Sequence, residues 1–210
     1  MINKFTKNHI ADSLSAFIWD FKIGDNIIYN LKILYVLYKD KEDSATPDLY
    51  NKPISIIIVA IIEAIFYDLV CRLDIATSHF PSHISREHKL EIKSRIEKEK
   101  VIYPKKSSMK RIKNYSMKEF IAFFKEYELL GKKDSVLYTH LEKATQMRNR
   151  LHIPNYHRNF ESDESEVFKT RRLNAIENIL GEVIQTMNKL YQRPFESGQS
   201  ETWLEQLNSV

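Results

Sequence analysis

The sequence predicts an all-α protein, and three observations carry the prediction. Apolar residues recur at a spacing of about 3.6 residues over long stretches, and two-residue alternation is almost absent. Leucine, isoleucine, lysine and glutamate dominate, while the 210 residues hold only six prolines and four glycines. With 43% of residues hydrophobic, the chain can fill a substantial core, which excludes a disordered tail or a miniature scaffold.

The elements follow in order. Residues 12–19 form a first helical stretch, and residues 25–38 a second, with Ile28, Leu31, Leu34 and Tyr35 on one stripe. Charged residues 39–43 and then Pro47 close it. Pro53 stands where a first-turn proline belongs, opening a helix to about residue 73 that is apolar on most sides and is expected at the centre. His79, Pro81 and His83 mark a connection, after which residues 86–101 read as a charged, exposed helix. Residues 98–113 carry seven basic side chains against Glu99 alone, are broken by Pro104 and Ser107-Ser108, and read as a basic loop. Ser116 and Glu119 make a capping box ahead of a helix over 117–130, with Gly131 as its stop. Asp134 or Ser135 caps the next helix, which Pro154 ends. A last long helix spans 163–191, and Pro194 terminates it. In the tail, 193–210, Trp203 and Leu204 either fold back as a short amphipathic turn or meet a partner. No repeat and no long linker divides the chain, so one domain over 1–210 is expected, its core about 25–192.

What the sequence lacks narrows the chemistry. Gly24, Gly131, Gly181 and Gly198 are too far apart for a dinucleotide-binding or phosphate-binding glycine loop. Cys71 is the only cysteine, so neither a disulfide framework nor a cysteine-rich zinc site forms within one chain, and a reducing cytoplasm is the expected location. Residues 1–15 alternate polar and apolar side chains, unlike a secretory signal. Residues 54–70 are apolar enough to raise the membrane question, but they contain Glu63 and Asp68. A charge near a bilayer centre costs at least ~2.5 kcal/mol, so a buried helix and no membrane partner are expected. His79, His83 and His88 are split by Pro81 and lack an H-E-x-x-H string, so no metal is expected, nor any other cofactor. Glu63 and Asp68, five apart, fall on different faces and do not make an acid–base carboxylate pair. The net charge of +4 permits a polyanionic partner without demanding one.

The informative segment lies in residues 135–152. At about 100° per residue, Leu137, Leu141, Ala144, Arg148 and Leu151 fall on one stripe, so Arg148 occupies a core-facing position. A guanidinium cannot shed its charge, and burying it requires a carboxylate, a subunit interface or an anionic ligand. Glu63 or Asp68 could be that carboxylate. His152 follows four residues later on the same side, in the last turn before Pro154, where a helix C-terminus favours the protonated imidazole. An arginine and a titratable histidine on one face suffice for RNA cleavage without metal. The histidine moves the proton as the 2′-hydroxyl attacks phosphorus, and the arginine stabilises the developing charge. Asn149 can orient the phosphate or the imidazole.

The string L-E-K-A-T-Q-M-R-N-R-L-H-I-P over 141–154 resembles the R-N-x-x-x-H helix of the HEPN superfamily of helical-bundle proteins. The apolar segment I-I-E-A-I-F-Y-D-L-V and the helix K-E-F-I-A-F-F-K-E extend the likeness in element order over about 25–192. The resemblance implies a HEPN-like helical bundle with extra peripheral helices, pairing as a homodimer across a shared cleft. It further implies a metal-independent endoribonuclease of a toxin–antitoxin or phage-defence system, with RNA as substrate and an antitoxin or defence protein as partner. Arg148 would stabilise phosphate, Asn149 would be the adjacent polar position, and His152 the acid or base. The family interval holds four to six residues; Arg148 and His152 have three between them. Arg150 and His157 have six, with Pro154 intervening, and stand as secondary candidates beside Glu63. Arg72 and His79 also have six, which reads as coincidence. Lys105, Lys106, Lys110, Arg111 and Lys113 could track an RNA backbone, with Tyr103 stacking on a base. The competing expectation is a catalytically silent HEPN-like module that binds nucleic acid or a partner protein.

Overall fold

The computed structural model describes residues 7–102, 110–112, 115–149, 168–193 and 198–209, with backbone alone at 101–102, 110–112 and 147–149. The fold is all-α, as the apolar periodicity predicts, with eight α-helices in these residues: α1 (Lys7–Phe17), α2 (Phe21–Asp43), α3 (Asn51–Ile75), α4 (Arg86–Lys98), α5 (Met117–Glu126), α6 (Val136–Asn149), α7 (Thr170–Leu190) and α8 (Gln199–Asn208), the last in the segment expected to hold a short turn. Short 3-10 turns at Pro47–Tyr50 and Thr77–His79 flank α3.

Expected and observed elements differ mainly at their ends. Asp20 caps α2, its side chain accepting from Ile23 N at 3.0 Å, so that helix begins four residues before Gly24-Asp25 suggests. Ser116 and Glu119 form the expected capping box, but α5 stops at Glu126 rather than near residue 130. The reason is Tyr138, whose buried hydroxyl donates to Phe124 O at 2.8 Å and accepts from Leu130 N at 3.0 Å. It takes over backbone groups that another helical turn would have used. The chain then turns through Glu128 (φ 55°) and Gly131 (φ 112°). Within residues 98–113 the structure corrects the expected loop: Lys100–Ile102 pairs antiparallel with Lys110–Ile112, Val101 opposite Arg111. The β-branched Val101, Ile102 and Ile112 favour extended pairing, which a count of charges conceals.

The expected central helix is α3. Ile54, Ile58, Ile62, Ile65, Phe66, Leu69, Val70 and Leu73 are all fully buried, and α2 and α7 make its most extensive contacts. Pro47–Ile75 is also long and apolar enough to cross a membrane by length and composition. Phe66 meets the α5 aromatics edge-on, with ring centroids 5.0 Å from Phe124 and 6.1 Å from Phe120.

Helix directions follow from polar contacts between elements. Asn51 donates to Phe168 O at 2.7 Å, and Arg72 donates to Tyr191 O, so α3 and α7 run parallel. His140 meets Glu182 at 2.9 Å, and Leu137 shares a surface depression with Thr186 and Lys189, so α6 runs antiparallel to both.

Two charged side chains sit deep in this framework, Asp68 at 1% exposure and Arg72 at 3%. Asp68 accepts from Asp20 N at 2.8 Å and from Trp19 N at 3.2 Å, tying down the start of α2. Arg72 donates to Phe17 O at 3.2 Å and Gln192 O at 3.2 Å as well as to Tyr191 O, closing the ends of α1 and α7. Burial raises the Asp68 carboxyl to about 6, against the two backbone donors and Arg72, which lower it. Because the folded value lies above the ordinary 3.8, this group's contribution is full at low pH and is lost as pH rises through about 4 to 6. The expected result is a urea midpoint that falls across that window relative to Asp68→Asn. A wild-type-to-variant difference that stays level would assign no linkage to this carboxyl.

Candidate functional site

The stripe on α6 forms as its spacing requires. Leu137 is 6% exposed, Leu141 and Ala144 are fully buried, and Thr145 donates its hydroxyl back to Leu141 O at 3.0 Å. Continuing at the same spacing, the backbone of Arg148 and Asn149 lies in the last turn of the described helix. Their side chains, and Arg150, His152 and His157 entirely, lie outside the described residues. So do Lys105, Lys106 and Lys113, whereas Lys110 and Arg111 are placed on the strand Lys110–Ile112 by their backbone.

The helix alignment gives the axial positions of the two carboxylates that the sequence offers as partners for Arg148. The parallel pairing of α3 with α7 has an offset of 119 residues, which sets Glu63 opposite Glu182 and therefore level with His140. Arg148 is eight residues further along α6, about 12 Å at 1.5 Å per residue. Asp68 is farther still along α3 and is occupied by the start of α2, with Arg72 as its nearest strong counter-charge. Asp68 and Arg72, four residues apart on α3, share a face, and the guanidinium's charge opposes the rise of the Asp68 carboxyl while each makes its hydrogen bonds to backbone groups.

The end of the bundle that carries Arg148 is well ordered by polar contacts. Asn51, fully buried, donates to Asp48 at 3.0 Å and accepts from Lys41, while Thr170 donates to Asp48 at 3.0 Å. Tyr38 donates to the buried Glu177 on α7, whose proximity together with burial raises the phenol. Lys169, Arg171 and Arg172 surround the first turn of α7, where the helix dipole disfavours cations. Lys52 adds a fourth charge beside the Phe168 ring, 5.6 Å from its centroid. Sequence inspection passed over these four because they are scattered between two helices and become one surface only when α3 and α7 align.

Arg72 and His79, whose six-residue interval looked accidental, do meet. His79 Nδ1 donates to Arg72 O at 2.9 Å, and the imidazole packs on Trp19 at 4.3 Å, the same ring that lies 4.8 Å from the Arg72 guanidinium. The guanidinium is nevertheless turned inward onto three carbonyls. That geometry makes it a helix clamp, with no face left for a phosphate. Among the described residues no group of three or more His, Cys, Asp or Glu side chains converges as a metal site. Comparison with known protein families, with curated proteins and with solved structures finds no match.

Proposed function

We propose that the chain is a metal-independent endoribonuclease of HEPN type, acting as a homodimer in the cytoplasm within a toxin–antitoxin or phage-defence system. The observation that carries this reading is the buried stripe of α6, Leu137, Leu141 and Ala144, which continues to a guanidinium at Arg148. Burying that guanidinium requires a carboxylate, an anionic ligand or a second protomer, and this reading takes a phosphate shared between two protomers as its complement. The cations around the first turn of α7 gather at the same end of the bundle and favour a phosphodiester ligand.

In the proposed reaction His152 of one protomer takes the 2′-hydroxyl proton as the 2′-oxygen bonds to phosphorus. The bond from phosphorus to the 5′-oxygen breaks, and a protonated His152 of the second protomer supplies that oxygen with its proton. The products are a 2′,3′-cyclic phosphate and a 5′-hydroxyl. Arg148 stabilises the charge that accumulates on the phosphoryl oxygens, and Asn149 orients the group.

The test is incubation of the purified chain with labelled RNA in EDTA, beside Arg148→Ala and His152→Ala. Cleavage to cyclic-phosphate ends by the wild type, and a loss of about a hundredfold or more in either variant, is expected. Equal cleavage by all three would assign the activity elsewhere. The short interval from Arg148 to His152, with Pro154 close behind, favours a second reading: a silent module of the same type that binds RNA or a partner protein. RNA binding without cleavage by the wild type would select it.

A further inference from the structure

At the opposite end of α3 from Arg148 lies a groove of about 460 Å³, lined by Thr77, Ser78, Arg86, Lys89 and Leu90. That volume falls within the range of small-ligand pockets. One bank is the 3-10 turn Thr77–His79, which leaves the Thr77 and Ser78 side chains exposed. The other bank is α4, where Arg86, Lys89, Leu90 and Lys93 share a stripe at positions i, i+3, i+4 and i+7.

The charges on this stripe are unbalanced. Among the described residues neither Arg86 nor Lys89 has an ion pair, and Lys93 reaches only the carbonyl of Ile75, at 3.5 Å. The nearby carboxylates are committed elsewhere: Asp74 to Lys100 at 3.0 Å, Glu97 to Lys100 at 2.6 Å, and Glu91 to the Tyr127 hydroxyl at 3.1 Å. Glu87, the acidic residue of the first turn of α4, lies about 100° around the helix from Arg86 and off the stripe. Beside these cations Leu90, 57% exposed, forms an apolar ledge in the groove wall. Exposed apolar area contiguous with unpaired cations and hydroxyls is the chemistry that meets a phosphate carrying a flat, weakly polar body.

We propose that this groove is a binding site for a mononucleotide, with the phosphate held by Arg86 and Lys89 and the hydroxyls of Thr77 and Ser78, and the base laid on Leu90. Arg86 offers the paired donors that suit phosphate oxygens, and Lys89 adds a mobile point charge. The groove is too large for a bare phosphate ion, and the ledge gives a nucleotide contact area that inorganic phosphate lacks. The site is separate from α6, and it stands or falls independently of the ribonuclease reading.

The test is isothermal titration of the full chain with AMP, GMP, CMP, UMP, inorganic phosphate and a single-stranded RNA dodecamer. At least one mononucleotide should bind with one-to-one stoichiometry and more tightly than inorganic phosphate. The double variant Arg86→Gln/Lys89→Gln should weaken that binding about tenfold or more, since it removes both cationic donors to the phosphate. It should leave the thermal midpoint unchanged. His152→Ala should bind the nucleotide as the wild type does, which separates this site from the cleavage site. Absence of saturation by every mononucleotide at millimolar concentration overturns the proposal, as does equal affinity in the double variant. Binding of the dodecamer alone overturns it in favour of a strand-binding surface.

Discussion

Arg72→Met should destabilise the folded chain by about 3–5 kcal/mol, the range seen when one member of a buried charged pair is removed. Methionine fills much of the same space without a donor. Its introduction leaves Asp68, 1% exposed, without its neighbouring cation, and deprives Phe17 O, Tyr191 O and Gln192 O of a donor at the ends of two helices. It also removes the guanidinium that stacks 4.8 Å from the Trp19 ring. Burial pulls Arg72 down to about 10, with Asp68 opposing that shift, so the cation is charged throughout the physiological range and the loss applies at neutral pH. Urea unfolding at pH 7 measures it, and a loss below about 1 kcal/mol would show that water replaces the clamp at little cost. The double variant Arg72→Met/Asp68→Asn should lose less than the two single losses combined, because the second change removes the charge that the first one orphaned.

That clamp bears on which features of the chain a linear reading exposes. Apolar periodicity places α2, α3, α5 and α6 because each turns a stripe toward the core, and periodicity reports burial directly. The capping box at Ser116 and Glu119 was readable for the same local reason. Helix ends were less so: α5 stops where it does because Tyr138, twelve residues beyond Glu126, supplies hydrogen bonds from outside the helix. Arg72 was passed over because a charged residue in an apolar helix announces a cost but not its partners, and those partners come from residues 17, 191 and 192. The candidate site shows the same division. The α6 stripe and the placement of Arg148 upon it follow from spacing, while the cations of α7 and the groove beside α4 exist only through packing between segments far apart in the chain.

The docking of α8 yields the last expected result, in which two general rules predict opposite signs. Gly24 lies within α2, and replacing a helical glycine by alanine ordinarily stabilises by about 1 kcal/mol. Here a Cβ would lie 2.2 Å from Trp203 Cζ2 and 2.7 Å from Cη2, closer than two carbon atoms can approach. The ring cannot yield locally, because Trp203 is fully buried and its Nε1 donates to Asp25 at 3.0 Å. Lys7 and Lys32 hold the same helix at its far end, through Leu207 O at 2.6 Å and the Ser209 hydroxyl at 2.8 Å. Relief therefore requires α8 to lift from α1 and α2 as a unit. Trp203→Ala, which removes the anchor outright, should cost about 3–5 kcal/mol. Gly24→Ala should approach that loss and shift tryptophan fluorescence to longer wavelength as the indole meets water. In the Trp203→Ala background the sign should reverse, with Gly24→Ala neutral or stabilising by about 1 kcal/mol, since only the helix preference then remains. A Gly24→Ala chain at least as stable as the wild type, with unshifted fluorescence, would mean that Trp203 does not pack against this glycine.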